Sequence, residues 1–349
     1  MTVIKKSTWL IMQRILDMEY ASRMSTFNAR TSILYTAKNN FDIRLWSIPS
    51  KKLHAKIKYR LDNLVKATEG KVRGSLRAID SSPEGDIIAL GCTYRRILDK
   101  SYRFFSRIFF VDVSTKKIVC VSKRMKDNVT SVAFSKDGCL LVVSTWSQLV
   151  GGYVYAYRIE RLLNKIKASL VMDDDDYFED PYCCSFDCRN RFIVVGTRGE
   201  DGLGIMHLYD KTAKLIKYES LPDREDFIFP DAKFSPDGKH IAVAYGFSFN
   251  VDVYSGANLS YMYSAYPKIS HVNFACVTWS RDGKYLYAAG KDLIRRWSGK
   301  GLGRPKDIFI SEKHITYIYP LDDGCLLYGN EDKIFGIINQ SGQEINTCL

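Results

Sequence analysis

The stretch Phe234–Gly246 reads FSPDGKHIAVAYG: a short strand runs into Ser235-Pro236-Asp237-Gly238, and a second, apolar strand follows. Pro236 and Asp237 pre-set a tight turn, and Gly238 supplies the positive φ that such a turn requires. The same text recurs along the chain. Trp279–Gly290 reads WSRDGKYLYAAG, Phe134–Ser144 reads FSKDGCLLVVS, Ile79–Gly91 reads IDSSPEGDIIALG and Leu321–Gly329 reads LDDGCLLYG. Phe186–Gly196 reads FDCRNRFIVVG, with Asn190 in the glycine position, and Phe27–Ala37, FNARTSILYTA, is the weakest copy.

Seven copies result. Measured from Arg30 through Gly85, Gly138, Asn190, Gly238, Gly283 and Gly324, the turns are 55, 53, 52, 48, 45 and 41 residues apart. Spacings of about 40–50 residues with strand-rich text between them belong to repeats of four strands each. The remainder of each unit fits. A loop follows the apolar strand, and then an alternating third strand, such as Phe41–Ile48, Arg107–Val113, Gly152–Ile159, Gly204–Tyr209, Phe249–Tyr254, Leu293–Ser298 and Lys333–Asn339. A polar turn leads on to a fourth strand, as at Ser114–Val121. Period-two alternation over such lengths predicts antiparallel strands rather than helices. A four-stranded sheet cannot bury both faces alone, whereas seven stacked around an axis can. The expected fold is therefore all-β: a seven-bladed β-propeller of four-stranded antiparallel blades, one domain spanning residues 1–349. Two segments compete for the outer position of the last blade. Thr8–Asp17 (TWLIMQRILD) is the favoured ring-closing strand, and Gln343–Leu349 the alternative.

The SPDG-type turn with its apolar strand, and Trp46 and Trp297 near third-strand ends, resemble the WD-repeat family from about Arg23 to Leu349. Ile241–Trp297 is similar in style to bacterial WD-repeat proteins, with NVDVYSG at Asn250–Gly256, CVTWSRDG at Cys276–Gly283 and IRRWSG at Ile294–Gly299. No copy has a Gly-His pair before its first strand, and no Trp is followed by Asp. The resemblance implies a propeller without the His–Asp hydrogen-bond network of well-formed repeats.

In such a ring the first-to-second and third-to-fourth turns share one end, the bottom. The second-to-third loops and the links between blades share the other, the top. The long excursions fall on the top, where long irregular segments more often carry function. Cys92–Phe105 and the adjoining Arg107 form a basic-aromatic loop, 92–107, with Tyr94, Arg95, Arg96, Lys100, Tyr102, Arg103, Phe104 and Arg107 as candidate binding residues. Lys71, Arg73 and Arg124 lie in neighbouring links. Cations beside aromatics suit phosphate contact with base stacking, or a lipid interface; the competing reading is a solvated loop whose aromatics tuck against the sheet. Met172–Asp180 supplies an acidic counterpart, with Asp173, Asp174, Asp175, Asp176, Glu179 and Asp180. Its spacing does not match a calcium loop, so it reads as a solvated acidic edge. The top face is expected to be basic over blades one to three and acidic over blades three to five.

The net charge is +12, from 51 basic and 39 acidic residues. That favours anionic partners without bearing on fold. No run approaches the ~20 apolar residues of a membrane helix, so the chain is not expected to be transmembrane, and no targeting segment is evident. Cys92, Cys139, Cys276 and Cys325 fall in apolar runs and read as small buried hydrophobes of a reducing, cytoplasmic setting. None of the five histidines stands beside a nucleophile in a recognisable motif. Cys183, Cys184 and Cys188 lack C-x-x-C spacing, and Gly199, Gly202 and Gly204 precede no helix that would make a phosphate cradle. No catalytic residue, metal or cofactor is expected. The expected role is a non-catalytic scaffold or adaptor, monomeric alone, that binds a protein or peptide through its top face or central funnel. The alternative is binding of an anionic surface, RNA or acidic phospholipid, through loop 92–107.

Overall fold

The computed structural model describes residues 24–37, 42–48, 52–58, 72–98, 101–146, 151–162, 165–174, 178, 180–198, 203–222, 229–246, 251–265, 274–301, 304–332 and 334–347. These build seven antiparallel sheets, each from consecutive strands in chain order. Blade one is β1 (Ser25–Asn28), β2 (Ile33–Ala37), β3 (Asp42–Ser47) and β4 (Lys52–Lys58). Blade two is β5 (Val72–Ser81), β6 (Ile87–Leu98), β7 (Ser101–Asp112) and β8 (Lys117–Val121), with the short β9 (Met125–Lys126) added beside β7. Blade three is β10 (Asn128–Phe134), β11 (Leu140–Trp146), β12 (Tyr153–Leu162) and β13 (Lys165–Asp174). Blade four is β14 (Asp180–Phe186), β15 (Phe192–Arg198), β16 (Leu203–Tyr209) and β17 (Leu215–Ser220). Blade five is β18 (Ala232–Phe234), β19 (His240–Ala244), β20 (Val251–Ser255) and β21 (Tyr261–Ala265). Blade six is β22 (Phe274–Trp279), β23 (Tyr285–Gly290), β24 (Leu293–Ser298) and β25 (Lys306–Ile310). Blade seven is β26 (Ile315–Pro320), β27 (Leu326–Asn330), β28 (Phe335–Ile338) and β29 (Glu344–Thr347).

The second strands explain why the sheets stack. Their residues are apolar at successive positions, so each strand loads both faces of its blade. In β11, Leu141 and Val143 join Ala89 and Phe110 of blade two, while Leu140 and Val142 join Phe192 and Val194 of blade four. In β19, Ile241 and Val243 pack on blade four, and Ala242 and Ala244 pack on blade six. The buried side chains divide in this way into seven clusters, one for each contact between neighbouring blades. Among the described residues the smallest lies between blades seven and one, where Phe27, Leu34, Ile48, Leu327 and Phe335 meet. Phe27 and Tyr319 close that seam edge to face, with centroids 5.0 Å apart. The outer strand of blade seven is β29, from the C-terminal of the two candidate segments; residues 8–17 lie outside the described residues.

The repeated turn has a hydrogen-bonded logic. In blade five the Ser235 hydroxyl donates to Asp237 (2.7 Å) and accepts from the His240 amide (2.9 Å), while Asp237 also accepts from the Lys239 amide (3.0 Å). Ser280, Asp282, Lys284 and Tyr285 repeat the arrangement in blade six. Ser135, Asp137, Cys139 and Leu140 repeat it in blade three. The Ser280 hydroxyl, together with the Lys284 amide and ammonium, pulls the Asp282 carboxyl down to about 2. The left-handed residue is Gly85, Gly138, Gly238, Gly283 or Gly324 in five blades and Asn190 (φ 61°) in blade four. In blade one it is Ser32 (φ 53°), two residues beyond Arg30, where the sequence pattern puts the turn. The weakest copy thus keeps the backbone geometry while departing from the text.

Two features left no mark in the sequence. The pairing of third with fourth strand shifts register in all seven blades, for example at Val253/Tyr254 and Ile294/Arg295. First and second strands shift at matching places in blades two, three, four, six and seven. Such bulges bend a strand and raise its twist, which suits sheets stacked around an axis. In addition, Cys139 is exposed rather than buried, because it stands in the turn before β11; Cys92, Cys276 and Cys325 are buried as expected.

Gly256 and Gly299 follow the third strands of blades five and six and occupy equivalent positions. Each donates its amide across the turn, to Lys239 and Lys284 respectively, at 2.7 Å. A Cβ on either would stand 2.3 Å from the carbonyl oxygen of the turn glycine, Gly238 or Gly283. Backbone cannot yield as a flexible side chain does, so Gly256→Ala should lower folding stability by about 1–3 kcal/mol. Urea denaturation reads this, with Ala257→Ser as the neighbouring control that stays near wild type.

Candidate interaction surface

The basic-aromatic excursion is not an irregular loop. β6 and β7 continue their ladder through Tyr94↔Phe105, Arg95↔Phe104, Arg96↔Arg103, Ile97↔Tyr102 and Leu98↔Ser101. β5 runs alongside, with Arg73↔Arg95 and Val72↔Arg96, and β9 flanks β7 at Phe105↔Lys126. The sequence missed this because arginines interrupt the apolar alternation that marks a strand. The backbone ladder continues beyond Tyr94 and Phe105, the last residues of these strands that belong to a core cluster. The result is an extension of blade two. β6 ends 13 residues after Gly85, whereas β11 ends eight after Gly138, an excess of about 16 Å at the rise of a strand.

The base of the extension is fixed by packing. Tyr94 is buried and stacks on Phe105 with centroids 5.2 Å apart, and both belong to the cluster between blades one and two. These rings support the sheet and are not free to meet a ligand. The Arg124 guanidinium lies 4.3 Å over the Phe105 ring, and the Lys126 ammonium contacts Tyr153 at 2.9 Å on blade three. Thr93 and Ser106 share a hydrogen bond (3.1 Å), and Thr93 accepts from the Val129 amide of blade three (3.0 Å). Arg107 is half-buried and donates to the Ser122 carbonyl at 3.4 Å. Phe104 is half-buried. Arg95, Arg96, Tyr102 and Arg103 stand in the extended ladder, and Lys100 lies outside the described residues.

Of the acidic candidates, Asp173 and Asp174 end β13, and Asp180 begins β14 opposite Thr197. Asp175, Asp176 and Glu179 lie outside the described residues. β13 runs parallel to β11, so its last residues share the top end of the ring with Leu98 of β6. The basic extension and the first two aspartates are therefore on one face. Asp173 is exposed, but Asp174 is bound into the ring. Its carboxylate accepts from the Tyr209 hydroxyl (3.0 Å), and Tyr209 in turn bonds Nδ1 of His207 (3.1 Å). His207 is fully buried in β16, with Phe178 4.4 Å from it between ring centroids. No sequence motif announced this chain, because its members come from two blades.

The wall of the central channel carries further groups that the sequence reading passed over. Asp80 of β5 accepts from Thr26 of blade one (2.8 Å), from the Ser81 amide (2.9 Å) and from the Phe134 amide of blade three (2.8 Å). Burial still raises its carboxyl above the ordinary value, against those donors. Asp231 takes the ammonium of Lys233 (2.8 Å) and the Val277 amide of blade six (3.2 Å). Burial would depress the Lys233 ammonium, but Asp231 outweighs it and the pKa rises. Lys136 is accessible to water yet hemmed in by protein; that desolvation lowers its pKa, with Asp80 opposing and Lys233 and Arg281 adding to the fall. Lys136 and Arg281 hold the same place in the turns of blades three and six, which is the signal that would have found them.

Burial pushes the Cys92 and Cys276 thiols well up and Cys325 to about 11, so none of these three is poised as a thiolate. Cys183 and Cys184 face opposite sides of β14, toward blades five and three respectively, and cannot share a ligand. Among the described residues no group of three metal-ligating side chains converges.

The WD domain, G-beta repeat family model matches residues 118–150. This segment begins in β8, the outer strand of blade two, and continues through β10 and β11 of blade three. The repeat of sequence is thus offset by one strand from the blade of structure. Match and architecture together support a WD-repeat family. No curated protein matches the chain.

Burial lowers the His207 imidazole from 6.5 to about 4, with Arg198 contributing. Between those values the unfolded chain takes up a proton that the folded chain refuses. The stability this group contributes is complete above pH 6.5 and is lost as the pH falls through about 4. Urea denaturation should show wild type weaker by about 2 kcal/mol at pH 5 than at pH 7. In His207→Phe the loss should be smaller; an equal loss would place the titration elsewhere.

Proposed function

We propose that this propeller is a non-catalytic protein-interaction scaffold or adaptor, and that a protein or peptide partner docks on its top face or in the funnel that opens there. One observation carries the reading: elements of opposite charge stand together at one end of a rigid ring. The basic extension of blade two is followed around the ring by Asp173 and Asp174 of blade three. A face polarised in this way orients an approaching partner and excludes partners of the wrong pattern. The family match supports it, since WD-type propellers generally serve as interaction scaffolds. We place its work in a reducing compartment such as the cytoplasm, where the buried Cys92, Cys276 and Cys325 would stay as thiols.

The chain as bait in a lysate should retain a protein partner at both low and high salt. Asp173→Arg reverses the charge of an exposed residue at the top of β13, so it should lower recovery several-fold. Recovery equal to wild type would remove the top face from the interaction. Capture of no protein at either salt would overturn the scaffold reading.

A further inference from the structure

The first-to-second turns gather around the lower mouth of the central channel, and one position in them forms its rim. Two residues before the left-handed residue stand Pro83, Lys136, Cys188, Pro236, Arg281 and Asp322, in blades two to seven. A Cβ on Gly138 would meet Cδ of Pro83 at 3.2 Å, one on Gly238 would meet Sγ of Cys188 at 3.4 Å, and one on Gly283 would meet Cδ of Pro236 at 3.9 Å. The rim residue of one blade thus abuts the turn of the next. Three residues before the rim, on the inner strands, Asp80 and Lys233 stand in blades two and five.

Three cations of this mouth come from three blades: Lys136, Lys233 and Arg281. They bear on one another, since Lys233 and Arg281 add to the desolvation that lowers the Lys136 pKa. The acids nearby are already engaged. Asp80 accepts from Thr26 and from the Ser81 and Phe134 amides. Asp231 takes the Lys233 ammonium at 2.8 Å, and Asp322 pairs with Arg281, whose Nε also donates to the Pro320 carbonyl at 3.3 Å. Among the described residues no hydrogen bond or ion pair reaches the Lys136 ammonium, and Asp80 acts on it only through space. Lys136 therefore keeps all of its N–H donors, and Lys233 keeps those not given to Asp231. A cation enclosed by protein and left unpaired is costly, and an anion that reached it would remove that cost.

We propose that the lower mouth of the channel binds a phosphate group, seated on Lys136 and flanked by Lys233 and Arg281. A phosphate carries roughly −1.5 to −2 charge and at least three acceptor oxygens, enough for cations from more than one blade. A carboxylate, with one charge and two oxygens, would be matched by Lys136 alone. Enclosure by neighbouring turns favours a small anion over an extended charged surface. The proposal goes beyond the scaffold reading, because this mouth lies at the opposite end of the ring from the top face.

The test is calorimetric titration of the full chain with inorganic phosphate and with O-phosphoserine, in chloride buffer of matched ionic strength. The tighter of the two names the source, free anion or ester. Wild type should bind at least one of them. Lys136→Gln should weaken binding about tenfold, Lys136→Arg should restore most of it, and Lys284→Gln, in an exposed turn position off the rim, should match wild type. A second measurement needs no variant. Cys188 and Cys139 are both exposed, but only Cys188 is on the rim, so phosphate should slow alkylation of Cys188 by iodoacetate several-fold and leave Cys139 unchanged, as read by mass spectrometry. Absence of binding by either probe at about 10 mM, equal affinity in wild type and Lys136→Gln, or alkylation of Cys188 indifferent to phosphate would each overturn the proposal. Partner recovery from lysate reports the scaffold reading separately.

Discussion

The whole architecture rests on second strands that are apolar on both faces. A strand such as β11 or β19 cannot be satisfied by one neighbour, because half of its side chains would stay in water. Each blade must be sandwiched, and a linear stack would leave two terminal faces uncovered. A ring removes both. Seven separate clusters, each shared by two adjoining blades, are the outcome. Contacts are then chiefly between neighbours, as in other repeat arrays. The seam between blades seven and one has the smallest cluster among the described residues and is bordered by an open groove of about 390 Å³ lined by Phe27, Ile48, Leu321 and Ile345.

Polar groups complete what burial begins. The turn serines and aspartates satisfy one another and the backbone amides around them, which fixes the bottom ends of the strands. Asp80 on β5 and Asp231 just before β18 accept from neighbouring blades, so a carboxylate performs a task between blades that apolar contact cannot. At the top, Asp174, Tyr209 and His207 tie blade three to blade four. These links give direction to an interface that hydrophobic packing alone leaves free to slide, since hydrogen bonds demand geometry.

Against this regular frame blade two stands apart. Its long hairpin and extra strand enlarge the ring at one point and concentrate positive charge there. The base of the extension is tied into the ring by the Tyr94–Phe105 stack and by Thr93, which accepts from the Val129 amide of blade three. Function in a repeat protein is read most readily where one unit departs from the others, because what all units share is needed for the fold.

The sequence by itself determined the repeat, its number and the strand order, because turn chemistry and apolar alternation act over a few residues. FSPDG at Phe234–Gly238 is legible for that reason. It did not determine that Ser32 would take the left-handed position, that Cys139 would be exposed, or that 92–98 and 101–107 would be strand. The last of these depended on β5 and β9 lying alongside to pair the backbone, a condition set by residues 16 or more positions away. Likewise Asp80 with Phe134, Asp174 with Tyr209, and the shared end of the basic and acidic elements arise only when separate blades meet. Local propensity writes each blade; the packing of one blade on the next decides which of its polar residues become structure and which remain to meet a partner.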